Sequence, residues 1–100
     1  MKKNTFKLKS EVLLYPGMAG WHFIYLPKKE AQVIRKSFAS VHRGWGSLPV
    51  LVTLGETSWR TSIFFDKRSD TYILPLKALV RKKEGVLAKD KVNFSLEIRP

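Results

Sequence analysis

The sequence contains no cysteine in its 100 residues. Disulfides cannot compensate for a thin core, and Cys-based zinc sites and thiol nucleophiles are excluded. Histidine is scarce too. His22 and His42 stand alone, without H-x-x-x-H spacing or a carboxylate partner nearby. Ser37 and Ser40 lie near His42 but lack a nucleophile elbow and an orienting acid. The two histidines read as structural, and the chain reads as non-enzymatic, with no metal and no cofactor. Long hydrophobic runs are also missing. Lys7, Lys9 and Glu11 interrupt any signal-like segment, and "VLLY" is too short for one. Nothing approaches the roughly 18 apolar residues of a membrane span. The expectation is a soluble, complete, cytoplasmic protein of one domain over residues 1–100, with no membrane partner.

Acidic residues are the last scarcity. Eight Asp and Glu face 19 Lys and Arg, giving a formal charge of +11 that attracts polyanions generally. Basic residues run through both halves of the chain, so the charge belongs to a folded body and not to a tail.

What is present is strand pattern. Phe6, Leu8, Val12 and Leu14 alternate with Lys7, Lys9, Glu11 and Leu13, the period of a half-buried strand. Pro16-Gly17 makes a turn, and "GWHFIYL" (20–26) reads as a second strand rich in aromatic and β-branched residues. Pro27 then opens a short amphipathic helix. Its apolar positions are Ala31, Ile34 and Phe38, with Val33 beside them, and Lys28, Lys29, Arg35 and Lys36 lie mostly opposite. "VHRGWGS" (41–47) is a loop. Leu48, Val50, Val52 and Leu54 share one strand face, Gly55-Glu56 turns, and Trp59, Thr61, Ile63 and Phe65 alternate on the return, which together make a hairpin.

"DKRSD" is a further turn, and "TYIL" a fifth strand. Pro75 is expected to start a second short helix with Leu76, Leu79 and Val80 on its apolar side and Gly85 at its end. Val92, Phe94, Leu96 and Ile98 alternate in the last strand. Six strands and two short helices predict a mainly β fold, a small closed or nearly closed barrel filled by its own side chains.

The segments "GWHFIYLPKKEA", "GSLPVLVTLGETSWRTSIFFDKRSDTYILPLKALVRK" and "KDKVNFSLEI" carry a resemblance. Trp21 with Leu26-Pro27, the run from Gly46, Arg60 with Ser62, Tyr72 with Leu74-Pro75, and Asp90 with Val92 match its motif positions. The chain resembles the bacterial and archaeal family called domain of unknown function nineteen-oh-five, from Phe6 to about Ile98. The resemblance implies a double-split β-barrel. This architecture is shared with DNA-binding barrels that often form swapped dimers, and some members carry a second domain similar to bacteriocin-protection proteins. It implies no catalytic residue. The family's Gly before the late Asp is Lys89 here. If that glycine serves a positive φ, Lys89 must be strained.

Charge supplies the leading functional reading. Lys28, Lys29, Arg35 and Lys36 on one helix, Arg81, Lys82 and Lys83 on the other, and Lys89 and Lys91 around the start of the last strand would form a polyanion surface if they converged with Lys7 and Lys9 on one strand face and Arg60 on another. Basic residues at a helix C-terminus also suit its dipole, which accounts for part of Arg81–Lys83 without a ligand. No RRM, KH, helix-turn-helix or zinc-finger signature is present. Nucleic acid is thus the expected partner of a binding module. The alternatives are a protein-interaction or homo-oligomerisation module, and a small-ligand or enzymatic site near Trp45. That residue, between two glycines, is read either as a stacking aromatic or as a plug over one barrel end. Asp66, Asp70 and Asp90 fall in predicted turns, where Asp commonly bonds its own backbone.

Overall fold

Period-two alternation does build the walls. The structure, a computed structural model, describes residues 4–15, 20–39 and 46–99. Its elements are β1 (Thr5–Leu14), β2 (His22–Tyr25), α1 (Lys28–Ser37), β3 (Ser47–Leu54), β4 (Thr57–Asp66), β5 (Thr71–Leu76), α2 (Ala78–Glu84) and β6 (Lys91–Ile98). The six strands close into an antiparallel barrel in the order β1-β2-β5-β4-β3-β6. Register sets the inside. Val12 lies opposite Ile24, and Ile24 opposite Leu74, and all three are fully buried. Leu48, Val52, Ile63 and Leu96 join them in one core, so side chains fill the barrel as its size requires. Among the described residues no helix is long and apolar enough to cross a membrane.

Connectivity then fixes where the helices lie. α1 joins the end of β2 to the start of β3, at one mouth of the barrel. α2 joins the end of β5 to the start of β6, at the other. At the first mouth, the buried Thr71 hydroxyl donates to the Leu26 carbonyl at 2.6 Å, and Leu26 N–H donates to Tyr72 O, fixing the exit from β2 into α1. Ala31, Ile34 and Phe38 face the core, and the Arg35 guanidinium sits 3.9 Å from the centre of the Phe65 ring. At the second mouth, Thr57 donates its hydroxyl proton to the Glu84 carboxylate, which tethers α2 to the β3–β4 turn. Gly55 in that turn has φ +60, and a Cβ there would fall 1.9 Å from a Glu84 oxygen, so the tether needs the missing side chain. Gly85 ends α2 at φ 64, as its place in the sequence suggests.

Several expectations change. Pro75 does not start a helix. It lies within β5 opposite Phe23, and α2 begins only at Ala78. The ladder between β4 and β5 runs from Asp66–Thr71 to Phe64–Ile73, so Pro75 lies beyond it, where its missing N–H removes no bond to β4. Leu76 is accordingly a buried strand residue, and Leu79 is 59% exposed, because α2 buries chiefly Val80. Val33 is 43% exposed and Leu14 52%: Ile34 takes the inward place on α1, and β1 outlasts the core at its end.

Lys89 has φ +75, so the position where the resembling family has glycine does require the left-handed region. The strain is held by ladder bonds: Lys89 N–H donates to Val12 O and Val12 N–H to Asp90 O, at 2.7 and 2.8 Å. Lys89→Gly should therefore raise the unfolding free energy by about 0.5–1 kcal/mol, the relieved strain less the added freedom of the unfolded chain. Urea denaturation checks this, and an unchanged or lowered midpoint would mean the strain is not released.

Candidate functional site

Nine of the basic residues expected at the surface divide between the two mouths. Lys28, Lys29, Arg35 and Lys36 lie on α1, Arg81, Lys82 and Lys83 on α2, Lys89 on the approach to β6 and Lys91 at its first position. Arg35 is engaged with Phe65, and Lys91 lies directly opposite Glu11 across the β1–β6 ladder. Trp45 and His42 fall outside the described residues. His22 Nδ1 donates to the Gly20 carbonyl at 2.8 Å, which gives that ring a structural bond. Asp66 accepts from both the hydroxyl and the N–H of Ser69. The hydroxyl bond is the main cause that holds its carboxyl below the ordinary range, and the turn of residues 67–70 explains it. Asp90 likewise accepts from Leu87 N–H. Among the described residues no three His, Asp or Glu side chains gather in a way that could hold a metal ion.

A different set of cations does converge. Where Pro75 carries β5 beyond its ladder with β4, a cleft of about 260 Å³ opens, lined by Trp21, Arg60, Pro75, Lys77 and Arg81 among others. Arg60 comes from the outer face of β4, Lys77 from the residue before α2, and Arg81 from the middle of that helix. Arg81 donates through Nε to Leu76 O at 3.1 Å and through a terminal nitrogen to Gly20 O at 3.2 Å. Those bonds use two of its five N–H donors and seat the guanidinium beside the segment that leads through Trp21 into β2. Both acceptors are carbonyls, so its charge is not neutralised. Among the described residues the one ion pair is Arg99–Glu97, and the cleft lining includes no acidic side chain.

Beside the cleft the outer wall of β1 and β2 is aromatic. Tyr15, Trp21, Phe23 and Tyr25 form a chain of rings with successive centroids 5.2, 5.1 and 5.0 Å apart. Because Val12, Ile24 and Leu74 point inward, their neighbours Leu13, Phe23 and Pro75 form a row on the outside, and Tyr25, Ile73 and Phe64 form the next. Phe23 is buried by this outer layer without belonging to the barrel core. Tyr15 and Phe64 keep 44% and 40% of their surface exposed. On the far side of the barrel, Lys7 and Lys9 border a shallow groove with Leu8, Thr53, Asn93, Phe94 and Ser95, which offers two cations and, since Phe94 is buried, no exposed ring.

Arg60 was among the outward cations that the sequence offers, and Lys77 was not. They lie 17 positions apart in the chain, and only the β4–β5 register joins them. The outward position of Arg60 was legible from alternation, but the end of the ladder at Ile73 was not.

A closed six-stranded barrel with a helix at each mouth and a cationic cleft on its outer surface defines a class of small basic β-barrel protein. The family model described as Domain of unknown function (DUF1905) matches residues 9–96, and the chain belongs to that family. No curated protein matches it.

Proposed function

We propose that the protein is a non-enzymatic, cytoplasmic binding module that holds a polyanion, with nucleic acid as the partner, in the cleft between β4 and the start of α2. The observation that carries this reading is the convergence of Arg60, Lys77 and Arg81 in one cleft whose lining includes no acidic residue. Three cations drawn from β4, the residue before α2 and α2 itself favour a ligand with several negative charges over a single small anion. Lys82 and Lys83 extend the positive surface along α2 beyond the cleft. The general charge of +11 steers a polyanion toward the molecule, and the cleft gives it a place to dock. A chain without cysteine needs no oxidising compartment, in keeping with the cytoplasm.

Anisotropy titrations of labelled DNA and RNA at two salt concentrations test the reading. Binding at micromolar strength or tighter is expected, weakening steeply with salt, since each phosphate contact adds roughly 0.7–0.9 to the slope of log K against log salt. Arg60→Ala and Lys77→Ala should each reduce that slope by about one such step. Absence of binding at low salt, or slopes unmoved by both variants, would sink the cleft as the site.

A further inference from the structure

We infer that the aromatic outer wall of β1 and β2 is a platform for unpaired bases, so that the preferred ligand is single-stranded nucleic acid. This rests on the polyanion reading of the adjacent cleft and names its substrate class. The observation behind it is the junction of two surfaces at one residue. Trp21 lines the cationic cleft and also stands in the ring chain from Tyr15 to Tyr25. A strand whose phosphates enter the cleft at Arg60, Lys77 and Arg81 would bring its bases against the partly exposed rings of Tyr15, Trp21 and Tyr25, with Phe23 buried beneath them.

The chemistry fits an unpaired strand. Bases stack on aromatic side chains whatever their sequence, and positive groups beside the rings track the backbone. A duplex hides its base faces in its own stack and can offer only phosphates here. The rings are also fixed before any ligand arrives. Trp21 and Phe23 stack at an interplanar angle of 27°, and Tyr15 and Tyr25 close on them edgewise at 75° and 84°. Little side-chain freedom is left to lose on binding.

An apolar face of this kind could otherwise receive a second copy of the chain. Charge argues against that occupant. Two copies meeting through Tyr15, Trp21 and Tyr25 would crowd the adjoining Arg60, Lys77 and Arg81 of both molecules, each carrying +11, around one interface. A polyanion removes the conflict.

Competition against a labelled single-stranded oligonucleotide tests the inference, with its DNA and RNA forms both used. The competitors are the matching duplex and inorganic polyphosphate. The single strand should bind about tenfold or more tightly than either, since each stacked base contributes a factor of that order. Trp21→Leu and Tyr25→Ala should each lower single-strand affinity about tenfold, and Tyr25→Ala, which lies outside the cleft, should leave polyphosphate affinity unchanged. Trp21→Phe keeps a ring and should bind nearly as the parent does. It also guards against a Trp21→Leu variant that merely fails to fold.

Equal competition by duplex and polyphosphate overturns the base platform and leaves the polyanion reading standing. So do ring variants that fold normally and bind the single strand unchanged. Failure of every polyanion to bind at low salt overturns both. A concentration-dependent dimer in sedimentation that Tyr25→Ala dissolves would give the face to a second copy instead.

Discussion

Ile34→Ala should lower the unfolding free energy by about 2–5 kcal/mol, while Val33→Ala, one position earlier on the same helix, should change it by less than about 0.5 kcal/mol. The contrast follows from how α1 is held. The helix has ten residues, and its N-cap, Pro27, makes no side-chain capping bond. A helix this short is marginal by itself, so burial must hold it in place. Ile34 is fully buried in the core at the mouth of the barrel, and Val33 is 43% exposed. Removing the Ile34 side chain forfeits its transfer energy and leaves a cavity under a helix that has little else to seat it. For a domain of this size each kcal/mol shifts the melting temperature by about 4–8 °C. Thermal and urea unfolding of the two variants measure the difference directly. A loss below about 1 kcal/mol for Ile34→Ala would mean that α1 does not seal the barrel.

The second large effect is alkaline. Tyr72 is fully buried, and desolvation of its phenolate pushes its pKa from 10.0 up to about 12, against a smaller lowering by the charge of Arg35. The phenol therefore keeps its proton in the folded protein over a range where the unfolded chain gives it up. The unfolded state binds fewer protons there, so stability falls as pH rises. This contribution is fully present below pH 10 and is lost progressively toward pH 12, at roughly 1.4 kcal/mol per pH unit. Other side chains also contribute to the alkaline behaviour of the parent, so its slope alone does not isolate the phenol. Tyr72→Phe removes it and leaves the others. Denaturation midpoints of the variant should depend less steeply on pH above 10 than those of the parent. Parallel curves would show that the buried phenol does not control alkaline stability.

Much of the barrel was legible in the sequence because alternation is a local signal. The strands holding Leu48, Val50, Val52 and Leu54, and Phe94, Leu96 and Ile98, bury the residues that their period selects. The left-handed turn at Lys89 was legible through the family pattern, which has glycine there. Helix faces were harder to read. Val33 and Ile34 are adjacent and both apolar, and only the direction in which α1 crosses the mouth decides between them. Pro75 looked like a helix start because proline suits a first turn. It suits equally a strand that has run past its neighbour, and that outcome depends on where β4 lies. The cleft depends on the same tertiary fact, which is why Lys77 was missed and why Arg60 and Arg81, both named from the sequence, could not be paired from it. The basic run at Arg81–Lys83 was conspicuous, but only Arg81 of the three lines the cleft.

The ring of strands also carries a kinetic consequence. It closes through β1 and β6, with Thr5 opposite Glu97 and Glu11 opposite Lys91. These partners are among the most distant pairs the chain can form, and joining them closes a loop almost as long as the chain itself. Contacts of such high sequence separation slow folding, which for β-barrels of this kind takes milliseconds to seconds. During synthesis β1 has no partner on that edge until β6 has left the ribosome. Until then the nascent barrel carries an open strand edge, protected chiefly by Lys7 and Lys9 on its outer face.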